Sequence, residues 1–553
     1  EVRFAVVMYG GVSLAIYING VTQELLSLVR ATGYATGEKP DAGARPAAAL
    51  SPVEKVYRKL AYLSGSEALR RDYRAWLSKD APHTPGGKTG QPAVDDCLEK
   101  NDALSTRFVI DILSGTSAGG INAIFLAKAL SNDKQIGGLK DMWVTEGNLG
   151  KLINDRHSLD TLGDVDLVDP PRSLLNSRRM YFKLLGALTS VDRSQGSSAP
   201  TTASIGSEKS PSPLVDELDL FVTTTDIHGV PLPIRLSDRV VYERRYRNVF
   251  HFRYANGTYS AYKNDLTEKQ SPFLAFAARC TSSFPFAFEP MCLCDIDHVV
   301  EAMPGHEPSW GSSNPEWQRY FTESLGKTGD ESKLDFTTRP FGDGGYLDNK
   351  PFTYVTDALS QRYSDVPVRR KLLYIEPSPE HPEDARADHS APDALENVAA
   401  ALLTLPRQET IREDLQRLLE RNRLIERADR TLNQVRNDVA RAAAQQSKDR
   451  RRTTGFENKR RDFWETEYLP DTIQRFGMAY MPYRRMRIAD ATDELSRCFT
   501  SQAGFDVHSD EFLAIRALVH VWRTRNYADY RSPDPRVVSL PSVNAFLNGF
   551  DVG

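Results

Sequence analysis

Gly115-Thr116-Ser117-Ala118-Gly119 is the stretch of this sequence best suited to covalent chemistry. Its serine has glycine two places away on either side, the spacing of a nucleophile elbow. There small residues let the chain turn sharply and lift the hydroxyl clear of the backbone. The surroundings agree. RFVIDILSG (107 to 115) has the apolar, β-branched make-up of a buried strand, and AGGINAIFLAKAL (118 to 130) reads as a helix. A serine at that junction faces a helix N-terminus, whose N–H groups and partial positive charge favour a developing oxyanion. The same five letters also suit a plain strand-to-helix turn or a phosphate-binding turn.

A serine hydroxyl needs a base at neutral pH, and two arrangements are open. The α/β-hydrolase order of serine, acid and histidine is served best by His381, in a loop beyond the strand RKLLYIEPS (370 to 378). The other candidate is Asp343 in Gly342-Asp343-Gly344-Gly345, where glycines on both sides free the backbone to aim the carboxylate at a neighbouring turn. An aspartate that takes the serine proton directly makes a dyad without histidine. Asp-Gly-Gly is also ordinary turn chemistry.

The elements that must hold these groups alternate along the first half of the chain. FAVVMY (4 to 9) reads as a strand, Gly10-Gly11 as a turn, and Leu14, Ile18, Val21, Leu25 and Leu28 recur at helical spacing. DLFVTTTDI (219 to 227) and residues 370 to 378 read as further buried strands, so the expected class is α/β with a mainly parallel sheet and helices on both faces. Residues 4 to 23 carry no charge and look like a signal peptide or short membrane span, but the central glycines and the amphipathic continuation favour strand, turn and helix. The start at Glu1 rather than Met leaves room for an upstream segment.

At 553 residues the chain exceeds what one core usually supports. Segments rich in Pro, Gly and Ser (36 to 49, 80 to 92, 195 to 213, 379 to 393) read as loops, and the insertions are placed at about 36–92, 145–215 and 295–335. After residue 393 the chain becomes charged and helical, with an amphipathic repeat over 407 to 440 and a basic run over 449 to 461. Two domains are expected, 1–393 carrying the chemistry and 394–553 mostly helical. Net charge of −4 from 70 basic and 74 acidic residues gives no reason to expect nucleic acid. Five cysteines make no disulfide framework, which points to a reducing compartment. Cys292-Leu293-Cys294-Asp295-Ile296-Asp297-His298 invites a metal reading, but no second ligand pair matches it, and its alternation suits a strand. No metal is expected.

Taken together these motifs resemble the patatin-like phospholipases. That family carries a glycine-rich oxyanion loop, a GxSxG elbow and an Asp-Gly-Gly motif, matched in order by Gly10-Gly11, Ser117 and Asp343-Gly344-Gly345. AFAARCTSSFPFAFEP (275 to 290) is similar to the family's helix and turn, with Ser282 or Ser283, Pro285, Phe288 and Pro290 matching. GDGGYLDNKPF (342 to 352) supplies the asparagine and proline, Asn349 and Pro351, and TTTDIHG (223 to 229) is similar to the central strand. The loop departs from the family's D-G-G-G-x-R/K-G, since it reads Met8-Tyr9-Gly10-Gly11-Val12-Ser13-Leu14 with no basic residue.

The resemblance implies a three-layer patatin-like α/β fold with a C-terminal helical extension. It implies Ser117 and Asp343 as a catalytic dyad, an oxyanion hole from Gly10, Gly11 and Val12, and Gly115, Gly119, Gly344 and Gly345 as the motif glycines. The expected activity is hydrolysis of fatty acyl esters, of phospholipase A or lysophospholipase type, without cofactor. A cytoplasmic protein with peripheral membrane contact follows, with a protein activator or a homo-oligomer as further partners. The rival reading is a partner-gated effector or a non-catalytic scaffold on a hydrolase-like fold.

Overall fold

A computed structural model describes residues 1–376 except 12–14, 36–42, 78–91, 161, 163–164, 166–169, 195–210, 237–238, 258–259, 304–307, 323–334, 363 and 365, and beyond them 393–394, 397, 411–429, 480–505 and 509–526. The chain divides into two compact units, Glu1–Asp414 and Leu415–Gly553.

Among the described residues the first unit is built on a seven-stranded sheet of β1 (Val2–Met8), β2 (Phe108–Gly115), β3 (Glu217–Arg235), β4 (Val240–Ala255), β5 (Lys263–Asn264), β6 (Phe341–Asp343) and β7 (Arg369–Ile375). The order is β5-β4-β3-β2-β1-β7, with β6 paired to β3. The run β3-β2-β1-β7 is parallel, as the α/β alternation of the sequence implies. A short turn joins β3 to β4, which forces those two to run antiparallel. Every residue of β2 is buried, as expected for a central strand covered on both faces.

Side chains alternate between the faces. On β1, Val6 and Met8 enter the larger core while Ala5 and Val7 enter the smaller. Over the larger core lie α1 (Ala15–Ala31), α2 (Ala118–Asn132), α3 (Ser177–Arg193) and α4 (Ser271–Thr281). The smaller core is closed by Phe352 and Val355 of α5 (Phe352–Gln361). Residues 4 to 23 thus hold most of β1 and the start of α1. Among the described residues no helix is long and apolar enough to cross a membrane.

The stretches read as insertions hold regular structure. Helix Pro52–Gly65 opens on a reciprocal Ser51–Glu54 cap, and Glu54 also pairs with Arg30 at 2.9 Å. Within 145–215, α3 buries Tyr181, Leu184, Leu185 and Leu188, so that stretch is part of the core and not only loop. Its apolar face lies amid many cationic residues, which hides the helical period in the sequence. In the second unit the described residues are chiefly helical, over 415–429, Tyr480–Gln502 and Asp510–Asn526. Arg427 pairs there with Asp490 and Asp493, and Arg516 with Asp493 at 2.6 Å. The basic run 449–461 lies outside the described residues.

α2 is apolar on every side and buried along nearly its whole length, because strands and helices surround it. Its one cation, Lys128, is fully buried and held by Asp192 at 2.8 Å, the Leu266 and Thr267 carbonyls at 3.1 and 3.2 Å, and Ser271 Oγ at 3.0 Å. Lys128→Met removes the charge and strands Asp192 and two carbonyls. Urea unfolding of this variant is expected to show a loss of about 3 kcal/mol.

Candidate active site

The elbow takes its shape from a close crossing. At Gly119 a Cβ would lie 2.5 Å from the Met8 carbonyl oxygen and 2.6 Å from that of Tyr9, so the first turn of α2 rests against the end of β1. At Gly115 a Cβ would lie 2.6 Å from the Gly119 carbonyl oxygen. Neither position accepts a side chain. Between them Ser117 adopts φ +53° and ψ −125°, a conformation that costs a non-glycine residue about 1–3 kcal/mol. Its N–H donates to Thr281 Oγ1 at 2.8 Å, which braces the turn from the end of α4. The serine is 3 % exposed.

Asp343 arrives by a different route to the same end of the sheet. Along one edge of β3, β2 pairs as far as Gly115 opposite Val222. Two residues further along β3, Thr224 pairs with Asp343 of β6. Thr224 is also paired with Asn248 of β4 on its other edge, so β6 occupies the edge that β2 has just left. Ser117 is two residues past the end of β2, and Asp343 stands two residues past it on the neighbouring strand.

Hydrogen bonds lock this junction. Thr116 Oγ1 and Thr223 Oγ1 are 2.6 Å apart, and both bond the Asp348 carbonyl, at 2.8 and 3.3 Å. The Asp343 carbonyl accepts from Thr225 Oγ1 at 2.8 Å, and its N–H donates to the Ser283 carbonyl at 3.3 Å. Asp343 Oδ1 accepts from the Gly345 N–H at 2.7 Å, which sets the direction of the carboxylate. A Cβ on Gly344 would meet the Thr223 carbonyl oxygen at 2.4 Å, so this glycine is required by the approach of β3.

The glycine-rich loop after β1 meets both motifs. A Cβ on Gly10 would fall 2.2 Å from Asn349 Oδ1 and 3.1 Å from Thr116 Cγ2. The Gly10 N–H donates to the Asn349 carbonyl at 3.3 Å. Gly10 therefore ties the loop to the Asp-Gly-Gly segment, and its amide is engaged rather than open to an oxyanion. Gly11 N–H makes no hydrogen bond among the described residues, and Val12 lies outside them. Ala118 N–H heads the first turn of α2, where an intrahelical acceptor does not exist.

Beneath the site is a fully buried guanidinium. Arg279 of α4 donates to Ser177 Oγ at 2.7 and 3.0 Å, to Ser283 Oγ at 2.9 Å and to the Glu289 carbonyl at 3.3 Å, and stacks on Phe288. Burial pulls its pKa down to about 10, while Glu289, Asp295 and Asp343 favour the charged form, so it stays cationic at neutral pH. Neither Arg279 nor Thr281 stood out in the sequence as a site residue. Both lie inside an apolar run, and only the turn serines after it drew notice. Ser282 bonds back to its own helix; Ser283 and Thr281 are the residues that reach the two motifs.

His381 lies outside the described residues. Cys292 to His298 is not a strand. Asp295 Oδ2 accepts from the Cys292 N–H at 2.8 Å and turns the chain into a 3-10 helix, Leu293–Ile296, followed by helix Asp297–Ala302. Leu293, Ile296, Val299 and Val300 are buried at helical spacing. Among the described residues no group of three or more His, Cys, Asp or Glu is placed to hold a metal ion.

Residues 102–356 match the family model of the patatin-like phospholipases. The chain carries a patatin-like phospholipase domain. The patatin match takes in the elbow, β3, α4, β6 and Asp343, and begins after Gly10 and Gly11. The chain is also 28% identical over 387 residues to an uncharacterized membrane protein of Mycobacterium tuberculosis. That similarity covers 68% of this chain and 27% of the relative, so the chain spans about a quarter of that protein's length. No solved structure matches it.

The strain at Ser117 is measurable apart from catalysis. Ser117→Gly and Ser117→Ala both lack the hydroxyl, yet only glycine is at ease at φ +53°. In denaturant titrations the glycine variant is expected to be more stable than the alanine variant by about 1 kcal/mol.

Proposed function

We propose that the patatin-like domain hydrolyses acyl esters of lipids through a Ser117–Asp343 dyad and a covalent acyl-enzyme. One observation supports the reading above the others: β6 follows β2 along the same edge of β3, with Gly115 opposite Val222 and Asp343 opposite Thr224.

Ser117 Oγ attacks the ester carbonyl carbon as Asp343 takes its proton. The oxyanion meets Gly11 N–H and the N-terminus of α2, with Gly10 holding the loop in place. One such donor is worth about 100- to 1000-fold in rate. The tetrahedral adduct collapses, the alcohol leaves with the proton held on Asp343, and the acyl group stays on Ser117. Water then gives its proton to Asp343 and attacks the acyl carbonyl. Release of the fatty acid returns the proton to Ser117. A solvated aspartate, with a pKa of about 3.9, is a weak base for this work. Fixed donors aimed at the transition state carry much of the acceleration in such a design. Arg279 adds a permanent cation below the site that interacts with Asp343.

The substrate presents itself at a membrane surface, and we read the protein as peripheral there, in keeping with a relative described as a membrane protein. The test is fatty acid release from mixed phospholipid vesicles, followed by mass spectrometry. Ser117→Ala and Asp343→Asn are each expected to cut release roughly a thousandfold or more, while His381→Ala leaves it intact. Release that survives Asp343→Asn and falls with His381→Ala moves the site to a triad. No release by the wild type, with or without cell extract, favours the scaffold reading.

A further inference from the structure

β3 and β4 continue beyond the rest of the sheet. β3 pairs with β2 as far as Val222 and with β6 as far as Asp226, and from Val230 to Arg235 it pairs with β4 alone. At about 3.3 Å per residue that stretch makes a two-stranded arm roughly 17 Å long.

The arm has a built root. The register shifts between Thr225 and Val230. Gly229 takes φ +65° under the Tyr246 ring, where a Cβ would stand 2.8 Å from that ring. Asp226 Oδ1 accepts from the His228 and Gly229 N–H groups at 3.0 and 3.1 Å, and Oδ2 pairs with Arg339 at 2.6 Å. The arm's direction is therefore set by hydrogen bonds and an ion pair.

Beyond the root its surface is apolar and cationic. Ile234, Leu236, Val240 and Tyr246 are exposed, and Tyr242 is 72 % exposed. Arg239, Arg244 and Arg247 are exposed beside them. Between residues 226 and 247 the sequence holds Arg235, Arg239, Arg244, Arg245 and Arg247 against Asp226, Asp238 and Glu243, and Asp226 is taken by Arg339. An isolated two-stranded ribbon is marginal in water, and large exposed apolar patches mark a surface that meets something. Pro231 and Pro233 deny β3 two donors, which suits an outer edge that is not extended by another strand.

A second apolar group rims the same end of the sheet. Phe286 is 76 % exposed and held at φ +65°, although a bulky side chain is disfavoured there. Its carbonyl accepts from the N–H of Leu174, itself exposed, at 3.1 Å. Phe286 stands five residues after Thr281, which braces Ser117, and three after Ser283, whose carbonyl accepts from the Asp343 N–H. Ile16 and Tyr17 open α1, Leu347 follows the Asp-Gly-Gly turn, and all three are exposed.

We propose that the β3–β4 arm and this rim dock onto an anionic lipid leaflet. Tyr242, Val240 and Phe286 enter the boundary between headgroups and acyl chains, where tyrosine is at home, and the arginines meet lipid phosphates. A cation near such a surface strengthens binding roughly fivefold. The proposal rests on the reading of the domain as a lipid hydrolase, since docking would set the mouth of the Ser117 site against its substrate.

The test separates binding from catalysis. The full chain with Ser117→Ala is floated with vesicles of phosphatidylcholine, with and without phosphatidylserine. Flotation with the anionic vesicles alone is expected. Adding Arg239→Glu with Tyr242→Ser should weaken it at least tenfold, and adding Phe286→Gly at least threefold. In the Ser117 background, the Arg239→Glu/Tyr242→Ser pair should lower vesicle hydrolysis at least tenfold while hydrolysis of monomeric p-nitrophenyl butyrate stays within twofold. Arm-dependent flotation without any ester hydrolysis keeps the docking face and removes the hydrolase reading. Flotation unchanged in the variants overturns the docking face. So does a shift from dimer to monomer by light scattering with flotation unchanged, which would make the arm a contact between copies.

Discussion

One edge of β3 carries the arrangement. It is lined by β2 up to Val222 and by β6 from Thr224, and the gap between them is where a strand-to-helix turn and an aspartate can meet. Backbone ladders place strands with little freedom, because unpaired N–H and C=O groups inside a core are costly. A short strand of three residues is thus enough to position Asp343, provided that the β3 edge is vacant there. Thr116 and Thr223 fill the gap with hydroxyls that contact each other and the Asp348 carbonyl, which ties the elbow, β3 and the Asp-Gly-Gly segment together.

α4 is the second support, and it is mostly a matter of charge. A guanidinium buried among neutral acceptors keeps its proton only if hydrogen bonds and distant carboxylates replace lost hydration. Arg279 finds them in Ser177, Ser283 and the Glu289 carbonyl, with Glu289, Asp295 and Asp343 supplying opposite charge. Through Ser283 the same cation reaches the strand that holds Asp343, while Thr281, two residues after Arg279, holds the Ser117 amide. One helix end therefore steadies both halves of the site.

The strands, the elbow and the Asp-Gly-Gly turn were legible because each leaves a local mark. β-branched runs make buried strands, and Gly115 and Gly119 stand where backbones touch. The resemblance to the patatin-like phospholipases added Gly10 and Gly11 but not their division of labour. That Gly10 N–H is given to Asn349 depends on a contact across more than three hundred residues, which no local pattern records. Cys292 to His298 misled because alternation of types imitates a strand, whereas the Asp295 side chain closes a turn on Cys292. β3 runs on to Arg235, beyond the strand read at 219 to 227. Pro231 and Pro233 argue against a central strand, and they are tolerated only because that part of β3 has left the sheet.

The position of β1 has a consequence in time. It lies between β2 and β7, pairing Val2 with Phe108 on one side and with Arg369 on the other. Its outer edge must wait for β7, about 260 residues after β2, which at ribosomal speed is on the order of ten to fifty seconds. The Asp-Gly-Gly turn also emerges within that interval, so a nascent chain holds the serine long before it holds the aspartate. Loop closure over such spans is slow. The elbow and the aspartate turn are thus made apart in time, and they meet only once β6 has reached the edge of β3.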